Sequence, residues 1–176
     1  AMRTSRKALQ LNYAMCLAAG KGDVGTLKKA ADTGLNFDEC SYFGRTPLHV
    51  AASEGSLAIA RFLAPLMETT NIVDFKGNTP LMDAVFYTHA EVAKYLKSVR
   101  SAVNENFASI QLSEACADGD EKKVKLLLEL GVNPSMNPPG RRRGAARRRR
   151  SAAHMAASNN HVGCIKLLIK YWCKLN

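Results

Sequence analysis

The stretch Gly44-Arg-Thr-Pro-Leu-His-Val-Ala-Ala-Ser-Glu-Gly55 decides the reading, because Gly77-Asn-Thr-Pro-Leu-Met-Asp-Ala-Val85 repeats its opening 33 residues later. A fixed period of this length marks a repeat array rather than a single folded layer. Each part of the motif has a physical task. Gly44 and Gly77 suit turns that need positive φ, the hydroxyls of Thr46 and Thr79 can cap a helix, and proline fits the first helical position, where its missing N–H costs nothing. Leu48 and the pair Ala51-Ala52 then face inward, and the small alanines let a short helix lie close against its neighbours. Gly55 ends that helix with the residue that best tolerates a left-handed cap.

This wording resembles the ankyrin repeat, which implies an all-α solenoid of stacked helix-turn-helix units, about five of them in 176 residues. Working outward from the motif, the repeats fall at 8–40, 41–73, 74–106, 107–137 and 150–176 of a single domain. In the first, Leu9, Leu11, Ala14, Met15, Ala18 and Ala19 approximate helical spacing, Lys21-Gly22-Asp23 makes the turn, and Val24, Leu27, Ala30 and Ala31 form a second stripe. It lacks the Thr-Pro-Leu-His signature and reads as a cap. The second pairs the Thr46 helix with a helix from Leu57 to Met67, packed through Leu57, Ile59, Ala60, Leu63 and Ala64. The third sets Thr79 to Val85 against an outer stripe of Val92, Ala93 and Leu96. In the fourth, Glu114-Ala-Cys-Ala-Asp-Gly-Asp120 precedes Val124, Leu127 and Leu128. In the fifth, Ser151-Ala-Ala-His-Met-Ala-Ala157 stands in for the motif, and Val162, Ile165, Leu168 and Ile169 line the last helix. This register places Leu48, Leu63, Leu81, Leu96, Leu127 and Leu168 between repeats.

The formal net charge of +10 looks like a nucleic-acid signal until it is located: seven arginines lie within Arg141 to Arg150, leaving +3 for everything else. From Gly131 to Ser151 there are 20 positions where Gly34 to Thr46 takes 12, and the excess falls in the Arg-rich segment 138–150. Like charges at this density repel and bury nothing, so this segment is expected to be a flexible loop. Arg141, Arg142, Arg143, Arg147, Arg148, Arg149 and Arg150 allow three readings: an inert loop, a nuclear-import or acidic-partner signal, and a nucleic-acid or other polyanion contact. No aromatic within 141–150 could stack on bases, so phosphate attraction there would be blind to sequence.

No run approaches the ~18 consecutive apolar residues of a membrane span, and no charged-then-apolar signal peptide opens the chain, so no membrane partner is expected. Five cysteines without a CxxC pair suit reduced thiols in a cytoplasmic protein, with the nucleus as the alternative.

The order of motifs resembles a narrower group, the C-terminal ankyrin region of cytosolic-type L-asparaginases. The residues carrying the likeness are Leu11-Asn-Tyr-Ala-Met-Cys-Leu-Ala-Ala19, Gly44 to Ala52, Gly77 to Leu81 and Ala152-Ala-His154. Ankyrin tails of plant inward-rectifier potassium channels and of glutaminases use similar wording, and the arginine segment departs from all three. The resemblance implies a regulatory region whose catalytic domain, with threonine nucleophiles in Gly-rich loops, lies outside these residues. The threonines here that match a family motif match the structural Thr-Pro-Leu, so the chain itself is read as no enzyme and as needing no cofactor.

The remaining constellations are weak as chemistry. His49 and His154 occupy the motif histidine, which can hydrogen-bond the backbone of a neighbouring finger. His161 and Cys164 are three apart and could share a metal, but no second ligand pair lies near them. Asp118, Asp120 and Glu121 flank a helix N-terminus, where solvated acids are at home. Partner contact is instead expected at the finger tips and inner-helix ends: Tyr42, Phe43, Arg45, Ser53, Glu54, Phe75, Lys76, Asn78, Phe86 and Tyr87. Aromatics are over-represented among interface hot spots, and the competing reading is that Phe43 and Phe75 pack finger on finger. A protein partner is the implied ligand, with self-association as one form of it.

Overall fold

In a computed structural model of the chain, residues 6–39, 41, 43–99, 101–136 and 151–175 are described. Among these there are ten α-helices and no strand, an all-α repeat architecture. The chain divides into two compact units, residues 1–102 and 103–176. The arginine segment 141–150 and its expected loop character lie outside the described residues, as do Tyr42 and Cys40.

The first unit holds three helix pairs: α1 (Arg6–Gly20) with α2 (Val24–Asp32), α3 (Pro47–Ser53) with α4 (Leu57–Leu63), and α5 (Pro80–Phe86) with α6 (Ala90–Ser98). Helix α3 packs between α1 and α5, while α4 packs on α6. The Thr-Pro-Leu motif starts α3 and α5 as its chemistry requires. Thr46 Oγ1 accepts from the His49 N–H at 3.4 Å, and the Thr46 N–H donates to His49 Nδ1 at 3.1 Å. In α5, Thr79 Oγ1 accepts from the Met82 N–H at 3.3 Å and the Thr79 N–H meets the Met82 sulfur at 3.3 Å, so a thioether takes the place of the imidazole. Both reciprocal caps satisfy helix N–H groups that would otherwise be orphaned in the interior.

The second unit holds α7 (Glu105–Asp118), α8 (Glu121–Glu129), α9 (Ala152–Ser158) and α10 (Val162–Leu175). Inner helices α7 and α9 pack together, and α10 packs on both α8 and α9. Ser151 caps α9, accepting from the His154 N–H at 3.4 Å.

The six leucines assigned between repeats are all buried, none more than 5% exposed. Full burial of such a side chain stabilises a fold by about 1.5–3 kcal/mol. Three local expectations are corrected. The helix from Leu57 ends at Leu63 and passes into a 3-10 turn over Ala64–Leu66, because Pro65 has no N–H with which to continue the ladder. In α1, Leu11 and Ala14 are exposed, while Asn12 is buried and donates to Glu39 Oε2 at 3.1 Å. In α10, Cys164 and Leu168 are the buried positions, whereas Val162 and Ile169 face solvent.

Candidate functional site

The first unit presents two hydrogen-bonded fingers with the same internal pattern. In one, the Ser41 N–H donates to Arg45 O at 2.8 Å and the Gly44 N–H to Ser41 O at 3.0 Å; in the other, Asp74 to Asn78 and Gly77 to Asp74, both at 2.9 Å. Asp74 Oδ1 fixes the second tip by accepting the N–H groups of Lys76 at 2.8 Å and Asn78 at 2.9 Å. The fingers are joined by the Phe75 N–H, which donates to Phe43 O at 3.2 Å. Gly44 has φ +70, and a Cβ there would lie 2.7 Å from the Phe75 ring, so this position needs glycine for conformation and for space.

On this scaffold four aromatic rings stand in solvent: Phe43, Phe75, Phe86 and Tyr87, each more than half exposed. Phe75 rests an edge on Gly44 and is still 80% exposed, so its contact with the neighbouring finger leaves most of the ring open. Phe86 and Tyr87 meet edge to face with centroids 5.1 Å apart, and Tyr87 stacks on His89 at 6.4 Å. A groove of about 360 Å³ opens beside α3, where Phe43, Arg45, Ser53 and Glu54 come together. Phe75, Lys76, Asn78, Phe86 and Tyr87 do not line that groove.

Arg45 and the backbone of Asn78 also brace the fingers. Arg45 Nη2 donates to Asp83 Oδ2 at 2.7 Å, to His49 O at 3.1 Å and to Ser53 Oγ at 3.2 Å. Asn78 gives its carbonyl to His49 Nε2 at 3.0 Å. His49 is buried, and because Nδ1 accepts from Thr46, hydrogen bonding assigns the proton to Nε2. Burial pushes the imidazole down to about 4, against the opposing pull of its bond to Asn78. Burial pushes the Asp83 carboxyl up to about 6, with the nearby Arg45 charge opposing.

Three residues of this region escaped the sequence reading. Tyr13 and Leu17 of α1 line the groove and are nearly half exposed. Their signal was available: they are four apart and lie off the buried stripe of Met15, Ala18 and Ala19. His89 is the third, with Nε2 bound to Ser53 O at 2.9 Å. In the second unit His161 does the same with Ala117 O at 3.0 Å. Among the described residues no group of three or more His, Cys, Asp or Glu is placed to hold a metal ion, and no helix is long and apolar enough to cross a membrane.

A family profile for ankyrin repeats in three copies matches residues 14–106, and one for ankyrin repeats in many copies matches residues 112–169. The mitochondrial liver isoform of glutaminase from Mus musculus is 39% identical over 84 residues, 47% of this chain and 14% of its own length. Potassium channel GORK from Arabidopsis thaliana is 35% identical over 95 residues, 54% of this chain and 12% of its own. An L-asparaginase of Dirofilaria immitis is 26% identical over 121 residues, 68% of this chain and 20% of its own. The chain thus spans a fifth or less of the length of each of these relatives.

Proposed function

The chain belongs to the ankyrin-repeat family, and from that premise we propose that it is a non-catalytic module that binds a protein partner through the finger-tip and inner-helix face of its first unit. The observation that carries this reading is the set of four exposed rings, Phe43, Phe75, Phe86 and Tyr87, held by rigid turns and helix ends instead of being folded into the core. Burying such rings against a partner supplies area at low entropic cost, since each has only two side-chain torsions to fix. Tyr42, Arg45, Ser53, Glu54, Lys76 and Asn78 complete the contact set, and Arg45 and Asn78 also hold the fingers in place. The partner is a different protein or a second copy of the chain. On this reading the chain is a single domain whose five repeats run over 8–40, 41–73, 74–106, 107–137 and 150–176, and the arginines of 141–150 add a sequence-blind attraction for polyanions. A cytoplasmic or nuclear setting keeps the buried thiols of Cys16, Cys116 and Cys164 reduced.

A role as the regulatory tail of an L-asparaginase-type amidohydrolase has no separate support. The glutaminase and channel segments match at 39% and 35%, against 26% for the asparaginase, so the likeness follows the repeat rather than one parent activity. The test is affinity capture with the whole chain and with Phe86→Ala and Tyr87→Ala, each at an exposed ring. Partners retained by the parent and released by both variants at unchanged melting temperature support the reading. An identical captured set, or asparagine or glutamine hydrolysis that follows the chain through purification and is lost on one substitution, overturns it.

A further inference from the structure

Among the described residues, five turns of one design join the helices of a pair, and they differ in the residue at one position. In each, the residue after that position donates its N–H to a carbonyl five residues back, at 2.8–2.9 Å, and the next N–H donates to the carbonyl of the turn position itself, at 2.9–3.1 Å. The turn position is left-handed throughout: Gly22, Gly55 and Gly119 have φ +75, +72 and +75, Asn160 has φ +58, and Thr88 has φ +61.

Glycine adopts this backbone freely, and asparagine tolerates it because its short amide can bond locally. Threonine is branched at Cβ, and for such a side chain the left-handed region is a true outlier. The backbone bonds of the turn do not call for threonine, since the glycines make the same ones in three sister turns. Among the described residues the Thr88 hydroxyl makes no hydrogen bond that would offset the strain, and its side chain is only partly buried. The strained residue directly follows Phe86 and Tyr87, whose rings stand 53% and 54% exposed, and precedes His89, on which Tyr87 stacks.

We propose that Thr88 is a specificity-determining contact of the aromatic face, presenting its methyl and hydroxyl to the protein partner beside the rings of Phe86 and Tyr87. Binding, rather than the packing of the free chain, then offsets the strain of the turn. Strained backbone persists at ligand clamps where the strained residue is used, and relieving it raises stability at the expense of function. The partner surface that fits here sets an apolar group against Thr88 Cγ2 and a hydrogen-bonding group against Oγ1, neither of which glycine could engage. This inference rests on the reading of the aromatic face as the partner site, and adds to that face a residue its contact set does not contain.

The free chain and the complex are tested separately. In the full chain, Thr88→Gly and Thr88→Asn should each raise the melting temperature by about 2–4 °C, because both residues accept the left-handed turn. The binding probe is the protein that the parent retains on an affinity column and Phe86→Ala releases, purified and titrated against the full chain. Thr88→Gly and Thr88→Asn should each weaken its binding about fivefold or more although the chain itself is more stable. Thr88→Ser, which keeps the hydroxyl and loses the methyl, should weaken it less. A residue with a merely structural role would move the melting temperature and leave the binding constant where it was.

Four outcomes overturn the proposal. Thr88→Gly and Thr88→Asn bind the probe as tightly as the parent while Phe86→Ala does not, which removes Thr88 from the contact and leaves the aromatic face standing. Only Thr88→Gly weakens binding and Thr88→Asn does not, which assigns the effect to a loosened turn. The melting temperature falls in both variants, which shows that the free chain already offsets the strain. No protein is retained by the parent and released by Phe86→Ala and Tyr87→Ala, in which case the reading of the aromatic face fails and Thr88 with it.

Discussion

Arg45 Nη2 and Asp83 Oδ2 stand 2.7 Å apart, tying the first finger to helix α5 of the following repeat. The Asp83 side chain is 8% exposed and that of Arg45 30%, so the pair is neither a free surface bridge nor a fully desolvated one. His49 lies beside it, buried, with its carbonyl accepting from the same guanidinium at 3.1 Å. Two titrating groups of opposite sign thus share one junction between repeats.

Their effects on stability should oppose each other over one pH window. The folded Asp83 titrates near 6, above its ordinary 3.8, so the folded state holds its proton more tightly and stability is lost as pH rises from about 4 to about 6. The folded His49 titrates near 4, below its ordinary 6.5, so the unfolded state holds the proton more tightly and stability is gained as pH rises from about 4 to about 6.5. Asp83→Asn should unmask the histidine, making the urea midpoint climb with pH through this window more steeply than in the parent. His49→Gln should leave the carboxylate alone and make the midpoint fall. Parallel profiles for all three proteins would show that neither group titrates in the window.

Packing energetics give a plainer contrast between two leucines on neighbouring turns. Leu63 is fully buried at the end of α4, and Leu63→Ala should cost about 2–5 kcal/mol in chemical denaturation by leaving a cavity. Leu66 is 48% exposed in the 3-10 turn that follows, and Leu66→Ala should stay within about 0.5 kcal/mol. Equal costs would contradict the placement of the turn after Pro65.

Cysteine reactivity should separate the thiols by location. Cys116 and Cys164 are buried, and burial pushes the Cys116 thiol up to about 12, leaving almost no thiolate at neutral pH. Burial also raises Cys164, with Glu121 and Asp120 adding to the effect. Cys173 is exposed on α10. A thiol reagent at pH 7 should therefore modify Cys173 readily, while Cys116 and Cys164 react only on unfolding. Rapid native modification of either, mapped by peptide mass, would show that the packing of the second unit opens.

What was legible in the sequence was whatever chemistry sits within four residues. Thr46 and His49 cap one helix locally, so the Thr-Pro-Leu-His string announced α3, and its partial copy at Thr79 announced α5 even with Met82 in place of histidine. Leucine spacing likewise gave the faces between repeats. The Arg45–Asp83 tie was hidden because its partners are 38 residues apart and Asp83 stands where the other repeat has Val50. Asn12 was passed over because a polar residue inside an apolar stripe reads as a break, yet Glu39 satisfies its amide. On α10, Val162 and Ile169 were grouped with Leu168 because all are apolar, yet they stand exposed while Cys164 and Leu168 are the positions that are covered.

The last prediction concerns a device present in both units. His89 Nε2 is bound to Ser53 O and its ring lies over Gly55; His161 Nε2 is bound to Ala117 O and its ring lies over Gly119. In each case the carbonyl comes two residues before the glycine, and a Cβ on that glycine would sit 2.5 Å from His89 Nδ1 or 2.6 Å from His161 Nδ1. Gly55 has φ +72, so Gly55→Ala should cost both the left-handed backbone penalty of about 1–2 kcal/mol and the displacement of the imidazole. Gly22, with φ +75 and nothing within 4 Å of its missing Cβ, isolates the backbone part alone. Gly55→Ala should therefore exceed Gly22→Ala in the parent and fall to about the same cost in a His89→Ala background, a coupling that additivity would not produce. Gly119→Ala with His161→Ala should repeat the result in the second unit. If the glycine costs are equal with and without the histidines, the rings yield freely and the contact contributes nothing to holding successive repeats together.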